Sequence, residues 1–200
     1  MNLSIEPAGR PIRSSSGMTL IELLVTTSIL GIVLVTVSTI MLSSSRVQSR
    51  TVRRAEIQSA GRQALSLMAT ELRQAGADPS DLPAGVIGIV AAQANMVHVR
   101  ADLNGDGVIQ TAEPSEDVTY RYDNVAHIVT RDAGPGPAAI LLHVTGMQLS
   151  YYDAANQALA TLPLSATDAA RVKTVGLTIT SENRDSRPIT LTTRITLRNR

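Results

Sequence analysis

Residues 17–42 read GMTLIELLVTTSILGIVLVTVSTIML, and this stretch decides the architecture. Residues 18–42 make a run of 25 with one ionisable side chain, Glu22. At about 1.5 Å of rise per residue, that run forms a helix of roughly 37 Å, enough to cross a hydrocarbon layer of about 30 Å with some tilt. A helix buried in a soluble core would need apolar neighbours on every side for about seven turns, so a membrane span is favoured. A secretory signal fits less well. Its apolar centre is shorter, and Leu42-Ser43-Ser44-Ser45 lacks the small-residue cleavage pattern that should follow.

The whole chain bounds function by exclusion. It has 200 residues, with 18 Lys+Arg against 17 Asp+Glu and 44% hydrophobic residues. A net charge of +1 excludes nucleic-acid binding by bulk charge, and the apolar content excludes general disorder. Without cysteine there is no disulfide framework, thiolate metal site or thiol nucleophile. Four Tyr, with no Phe or Trp, leave little aromatic surface for stacking bases or sugars.

Residues 1–17, ahead of the span, are polar, carry Arg10 and Arg13, and end in Ser14-Ser15-Ser16-Gly17. Glu22 sits just inside the apolar run. A carboxylate there is costly unless it is paired, neutralised or close enough to the headgroups to reach water. Gly17-Met18-Thr19-Leu20-Ile21-Glu22-Leu23-Leu24 resembles the cleavage and methylation motif of type IV prepilins and type II secretion pseudopilins. The resemblance implies that a prepilin peptidase cuts after Gly17 on the cytoplasmic face. Met18 then becomes an N-methylated terminus, and Glu22 is kept for assembly with other major and minor pilins or pseudopilins. Met18 stands where major subunits usually carry phenylalanine, and the leader is longer than many, which points to a minor subunit.

The residues give their own account of Glu22. The freed amine of Met18 is a cation, and a neighbouring helix displaced by about one turn would bring it beside Glu22, offsetting the desolvation of the carboxylate. The expected topology is a single pass through the bacterial inner membrane, N-terminus cytoplasmic and ectodomain periplasmic. Arg46, Arg50, Arg53 and Arg54 follow the span. The positive-inside rule taken alone would put that flank in the cytoplasm; the processing motif sets the opposite orientation.

Beyond the span, Ile57, Ala60, Ala64, Leu67/Met68, Leu72 and Ala75 recur at helical spacing and predict one apolar stripe, with Gly76 as the C-cap. The arginines could form a nucleic-acid patch, but a solvated face or contacts to neighbouring subunits is preferred. Period-two runs then predict strands at 96–100, 118–122, 127–131, 140–144, 147–152, 172–180 and 189–197, the last two as a hairpin. The expected fold is α+β and pilin-like: a leader (1–17), a span (18–42), an amphipathic helix entering the ectodomain (43–76), and an antiparallel β-rich domain (77–200) on which the helix packs. SYYDAANQ at 150–157, VGLTIT at 175–180 and TTRITLRN at 192–199 resemble the tail of PilW-type minor pilins and J-type minor pseudopilins.

A second motif, DLNGDGVIQTAE at 102–113, meets D-x-[DN]-x-[DN]-G-x₅-E at every position. Asp102, Asn104, Asp106 and Gln110 would offer side-chain oxygens, Val108 its carbonyl, and Glu113 two carboxylate oxygens to Ca²⁺. The alternative is a polar turn. Its flanks predict strands, so a bound calcium would be structural rather than a sensor. His98, His127 and His143 are expected in apolar strands without ligand spacing, and no catalytic constellation is present. The expected role is a subunit at or near the tip of a filament. A permanently anchored periplasmic protein, whose calcium-loop domain binds a ligand or surface, is the rival.

Overall fold

The computed structural model describes residues 17–80, 85–111, 116–182 and 187–198. The chain divides into two compact units, residues 1–49 and 50–200. Helix α1 (Leu20–Gln74) belongs in part to each.

In the first unit the helix is apolar on all sides, and every described residue is exposed. None of its most apolar stretch is buried. Hydroxyls in this segment do not stand as uncompensated polar groups. Thr26, Thr27, Ser28, Thr36, Thr39 and Ser43 each donate to a carbonyl three or four residues back, at 2.8 to 3.1 Å. Such back-bonding is what lets Ser and Thr face hydrocarbon. This part of the helix is thus long and apolar enough to cross a membrane.

In the second unit the last turns of α1 bury one face against two antiparallel sheets. The first sheet is a meander of β1 (Ile89–Ala92), β2 (Met96–Arg100), β3 (Asp117–Asp123), β4 (Ile128–Asp132) and β5 (Ala138–Leu141), in that order. The second joins β6 (Val144–Tyr152), β7 (Thr174–Ser181) and β8 (Ile189–Thr196). Strict alternation along β7 puts Val175, Leu177 and Ile179 inside and Thr174, Thr178 and Thr180 outside. One core runs from Ala64, Met68 and Leu72 of α1 through both sheets. Met68 and Leu72 are 0% exposed, so each contributes about 2 kcal/mol of burial. The short helix α2 (Ala166–Arg171) starts at Ser165, whose hydroxyl accepts from the Asp168 amide at 3.1 Å.

The architecture expected from the sequence is the one found: a long apolar N-terminal helix and antiparallel sheets. Several details differ. The buried stripe of α1 takes Leu65 and Ala69, while Leu67 is 39% exposed and Ala60 also faces solvent. Strand β1 and helix α2 were not anticipated, because IVAA and ATDAAR are too short to carry a period. His127 and His143 do not lie in strands. Both sit at turns with φ of 56° and 57°, a left-handed geometry in which His is enriched. The predicted strand at 140–144 is interrupted at His143, its first part ending β5 and Val144 opening β6. Gly76, with φ of 79°, caps α1 as expected. There the backbone comes so near Gly88 that a Cβ on Gly88 would stand 2.6 Å from the Gly76 nitrogen. The connection expected between the last two strands is masked at 183–186 and so lies in part outside the described residues.

A polar clamp fixes the helix within this core. Glu71 is 6% exposed on α1. Arg131 on β4 donates to it from Nη2 at 2.6 Å and from Nε at 3.1 Å, and the Tyr120 hydroxyl on β3 also donates to it. Burial and the Glu71 carboxylate push the Tyr120 hydroxyl far above its ordinary pKa, and the same carboxylate raises that of Arg131. Both donors therefore stay protonated through the physiological range. Glu71→Gln leaves a largely buried guanidinium without its counter-charge and is expected to cost about 3 kcal/mol. Tyr120→Phe removes one charge-assisted hydrogen bond, about 2 kcal/mol. Thermal unfolding of the full chain in detergent, followed by tyrosine near-UV circular dichroism, reads both, because all four Tyr lie in the second unit. Equal midpoints for wild type and Glu71→Gln would show that the clamp contributes nothing.

Candidate functional site

The amino end of α1 is built by a capping pair. The Thr19 hydroxyl accepts from the Glu22 amide at 3.3 Å, and the Thr19 carbonyl accepts from Leu23 at 3.1 Å. Thr19-x-x-Glu22 is the spacing of a capping box, so the helix begins at Leu20. Glu22 stands in the first turn, where the helix dipole favours an anion. The capping role of Thr19 was missed in the sequence, although the spacing carries it. Gly17 and Met18 precede the helix in exposed, irregular backbone. Among the described residues, a Cβ on Gly17 would meet nothing within 4 Å. Residues 1–16 lie outside the described residues.

The acidic loop is tied together by its own carboxylates. Asp102 is 0% exposed, and its two oxygens accept from the amides of Gly105 at 2.6 Å and Gly107 at 2.8 Å. Asp106 accepts from the Val108 amide at 2.8 Å and from the side-chain amides of Asn104 and Gln110; Asn104 Oδ1 accepts from the Asp106 amide at 2.9 Å. Gly107, with φ of 79°, makes the turn the motif requires. Glu113 lies outside the described residues. Among the described residues, the loop is closed by Glu116, three positions later. It is 2% exposed and accepts from the amides of Leu103, Asn104 and Gln110 at 3.0 to 3.3 Å.

The loop is joined to the exit of α1, since the Ala77 carbonyl accepts from the Asp102 amide at 2.8 Å. On the same exit segment, Asp78 Oδ2 is buried with no hydrogen-bond partner among the described residues. The donor set fits a hard divalent cation: each oxygen of Asp102, Asp106 Oδ1 and Asn104 Oδ1 accepts one of the hydrogen bonds above and keeps a second lone pair. Among the described residues, no three His, Asp or Glu side chains converge as a metal site. A complete shell would therefore need Glu113, Asn104, Gln110 or the Val108 carbonyl.

Elsewhere, His98 on β2 contacts Asp117 on β3, and Arg100 donates to the same carboxylate from Nε at 3.0 Å. This satisfies His98 as a half-exposed strand histidine. An apolar groove of about 550 Å³ lies between Ile57 and Ala60 of α1 and Ile140 and Leu142.

Comparison with known families bears on the amino end alone. Residues 12–38 match the prokaryotic N-terminal methylation motif. No curated protein matches the chain. The match covers Gly17, Met18 and Glu22 together with most of the apolar run, and it supports a type IV pilin or pseudopilin precursor.

Proposed function

We propose that this chain is a minor pilin or minor pseudopilin. It is inserted in the inner membrane, cut after Gly17 by a prepilin peptidase, methylated on Met18, and packed through its N-terminal helix at or near the tip of a filament. The observation that carries the reading is the join at Gly17: an unencumbered glycine, then a Thr19-capped helix with one acid in its first turn and about six apolar turns behind it. An all-exposed apolar helix needs hydrocarbon or other such helices around it, and a filament core supplies the second once the subunit leaves the first. Its work is structural and priming, carried by packing and by the pairing of Glu22 with a neighbour's Met18 amine.

Glu22 tests this. Glu22→Val makes the helix less polar, so it still inserts and is processed, but it loses the partner for the incoming amine. The variant is expected to reach the membrane at wild-type level and to co-purify with the other filament subunits at a tenth of the wild-type amount or less, about 1.4 kcal/mol of lost pairing. Co-purification equal to wild type would confine Glu22 to its favourable place as an anion in the first turn of α1.

We propose in addition that the loop at 102–113 holds calcium through Asp102, Asn104, Asp106, Val108, Gln110 and Glu113 and so stiffens the junction between β2 and β3. Calcium at about a hundredfold over its dissociation constant adds roughly 2.7 kcal/mol to the folded state. Magnesium, which demands a stricter octahedron, should add far less. Thermal unfolding of the full chain in detergent with calcium, magnesium or chelator measures this. Glu113→Gln should abolish the calcium increment and leave the midpoint in chelator unchanged. Asp102→Ala should also lower the midpoint in chelator, because it orphans the Gly105 and Gly107 amides. The same midpoint in calcium and in chelator would mean that the loop is closed by its own carboxylates alone.

A further inference from the structure

Residues 74–97 and 101–116 carry six acids, Asp78, Asp81, Asp102, Asp106, Glu113 and Glu116, and no Lys, Arg or His. Two of these stretches run side by side in the second unit: the exit of α1 and the acidic loop. The Gly76 amide donates to the Arg100 carbonyl at 2.8 Å, and the Asp102 amide donates to the Ala77 carbonyl at 2.8 Å. Farther along, a Cβ on Gly105 would stand 3.5 Å from the Cβ of Pro79. Asp78 is thus bracketed by two residues that touch the loop. The described carboxylates here differ in how their oxygens are used. Both oxygens of Asp102, Asp106 and Glu116 accept hydrogen bonds from amides of the loop itself. Asp78 is the exception. Its Oδ1 accepts from the Ser80 hydroxyl, while its Oδ2 is buried with no hydrogen-bond partner among the described residues. A bare, buried carboxylate oxygen is costly, and a cation placed on it removes the cost.

From this we infer that Asp78 Oδ2 is a further ligand of the calcium ion at 102–113, supplied from outside the loop, so that occupancy ties the exit of α1 to the connection between β2 and β3. The inference rests on the reading of that loop as a calcium site. Calcium takes about six to eight oxygens in a flexible arrangement, which leaves room for one more carboxylate. Affinity at such sites follows the number of charged ligands, and Asn104 is neutral at a position that Asp can also fill. Among the described residues the loop itself therefore offers two charged ligands, Asp102 and Asp106, because Glu116 is committed to three backbone amides. Asp78 adds a third, and its Oδ2 gives up no hydrogen bond in doing so. No three acids converge among the described residues, so ligation by Asp78 requires the exit segment and the loop to close on each other.

Isothermal titration calorimetry of the full chain in detergent with calcium gives the dissociation constant. Asp78→Asn should raise it about tenfold or more, the scale of loss when a metal site is deprived of a supporting group. Glu182→Gln, an exposed acid just past β7, should leave it unaltered and controls for the loss of one negative charge. The unfolding midpoint of Asp78→Asn in chelator should not fall below wild type, since no hydrogen bond to Oδ2 is lost. Hydrogen-exchange mass spectrometry of the wild-type chain supplies a readout that needs no variant. Calcium should slow exchange at 76–80 together with that at 102–111. An equal dissociation constant in wild type and Asp78→Asn, or protection confined to 102–111, overturns the inference and leaves the loop site standing. A wild-type chain that shows neither calcium heat nor protection overturns the loop site, and the inference with it.

Discussion

The second unit depends on how one face of a long helix is held against two small sheets. Apolar burial at Ala64, Met68 and Leu72 supplies the attraction, but it is non-directional and would tolerate sliding by a turn. Glu71 removes that freedom. Its carboxylate receives Arg131 in a forked contact and Tyr120 from the neighbouring strand, so one helix position is matched to two strand positions. A buried ion pair adds little net stability over an apolar substitute, yet a broken one is expensive, and this makes it a device for register. The sheets are joined to each other by similar means: the buried Tyr151 hydroxyl on β6 donates to the Gln93 carbonyl in the β1–β2 turn at 2.9 Å.

The helix must satisfy two environments in sequence. Over residues 18–42 it has no polar face at all, and its hydroxyls are returned to the helix backbone. From residue 61 onward it has a buried stripe and a solvated side. Between these stretches lie serines and arginines, the composition expected where a helix leaves hydrocarbon for water. The prokaryotic N-terminal methylation motif falls on the first stretch, so processing and the apolar surface coincide in one segment.

What could be read from the sequence followed from periodicity strong enough to survive noise. The apolar run, the alternation of VGLTIT and ITLTTRIT, and the pairing of the last two strands needed no tertiary information. Reading failed where tertiary contact outweighed the pattern. Leu67 looked as apolar as Leu65, and only the position of the sheets decides which is buried. Glu71 gave no sign of being interior, because a charged residue on a helix is by default a solvated one. His127 and His143 sat in apolar runs, yet their backbone turns left-handed where strands end. At the candidate loop the motif offered Asp102 as a metal ligand; in the structure its two oxygens accept from the Gly105 and Gly107 amides. Glu116 escaped because its partners are backbone amides as far as thirteen residues away, which no local spacing encodes.

The account stands or falls on the chemistry of the amino end. Intact-mass and N-terminal peptide mass spectrometry of the chain purified from the membrane fraction tests it most directly, with Gly17→Leu alongside. The expected mature wild-type chain begins at Met18 and is one methyl group heavier than the unmodified residues 18–200, while Gly17→Leu retains residues 1–17. A wild-type chain that keeps residues 1–17, or is cut elsewhere, would contradict the account and favour a permanently anchored binding protein.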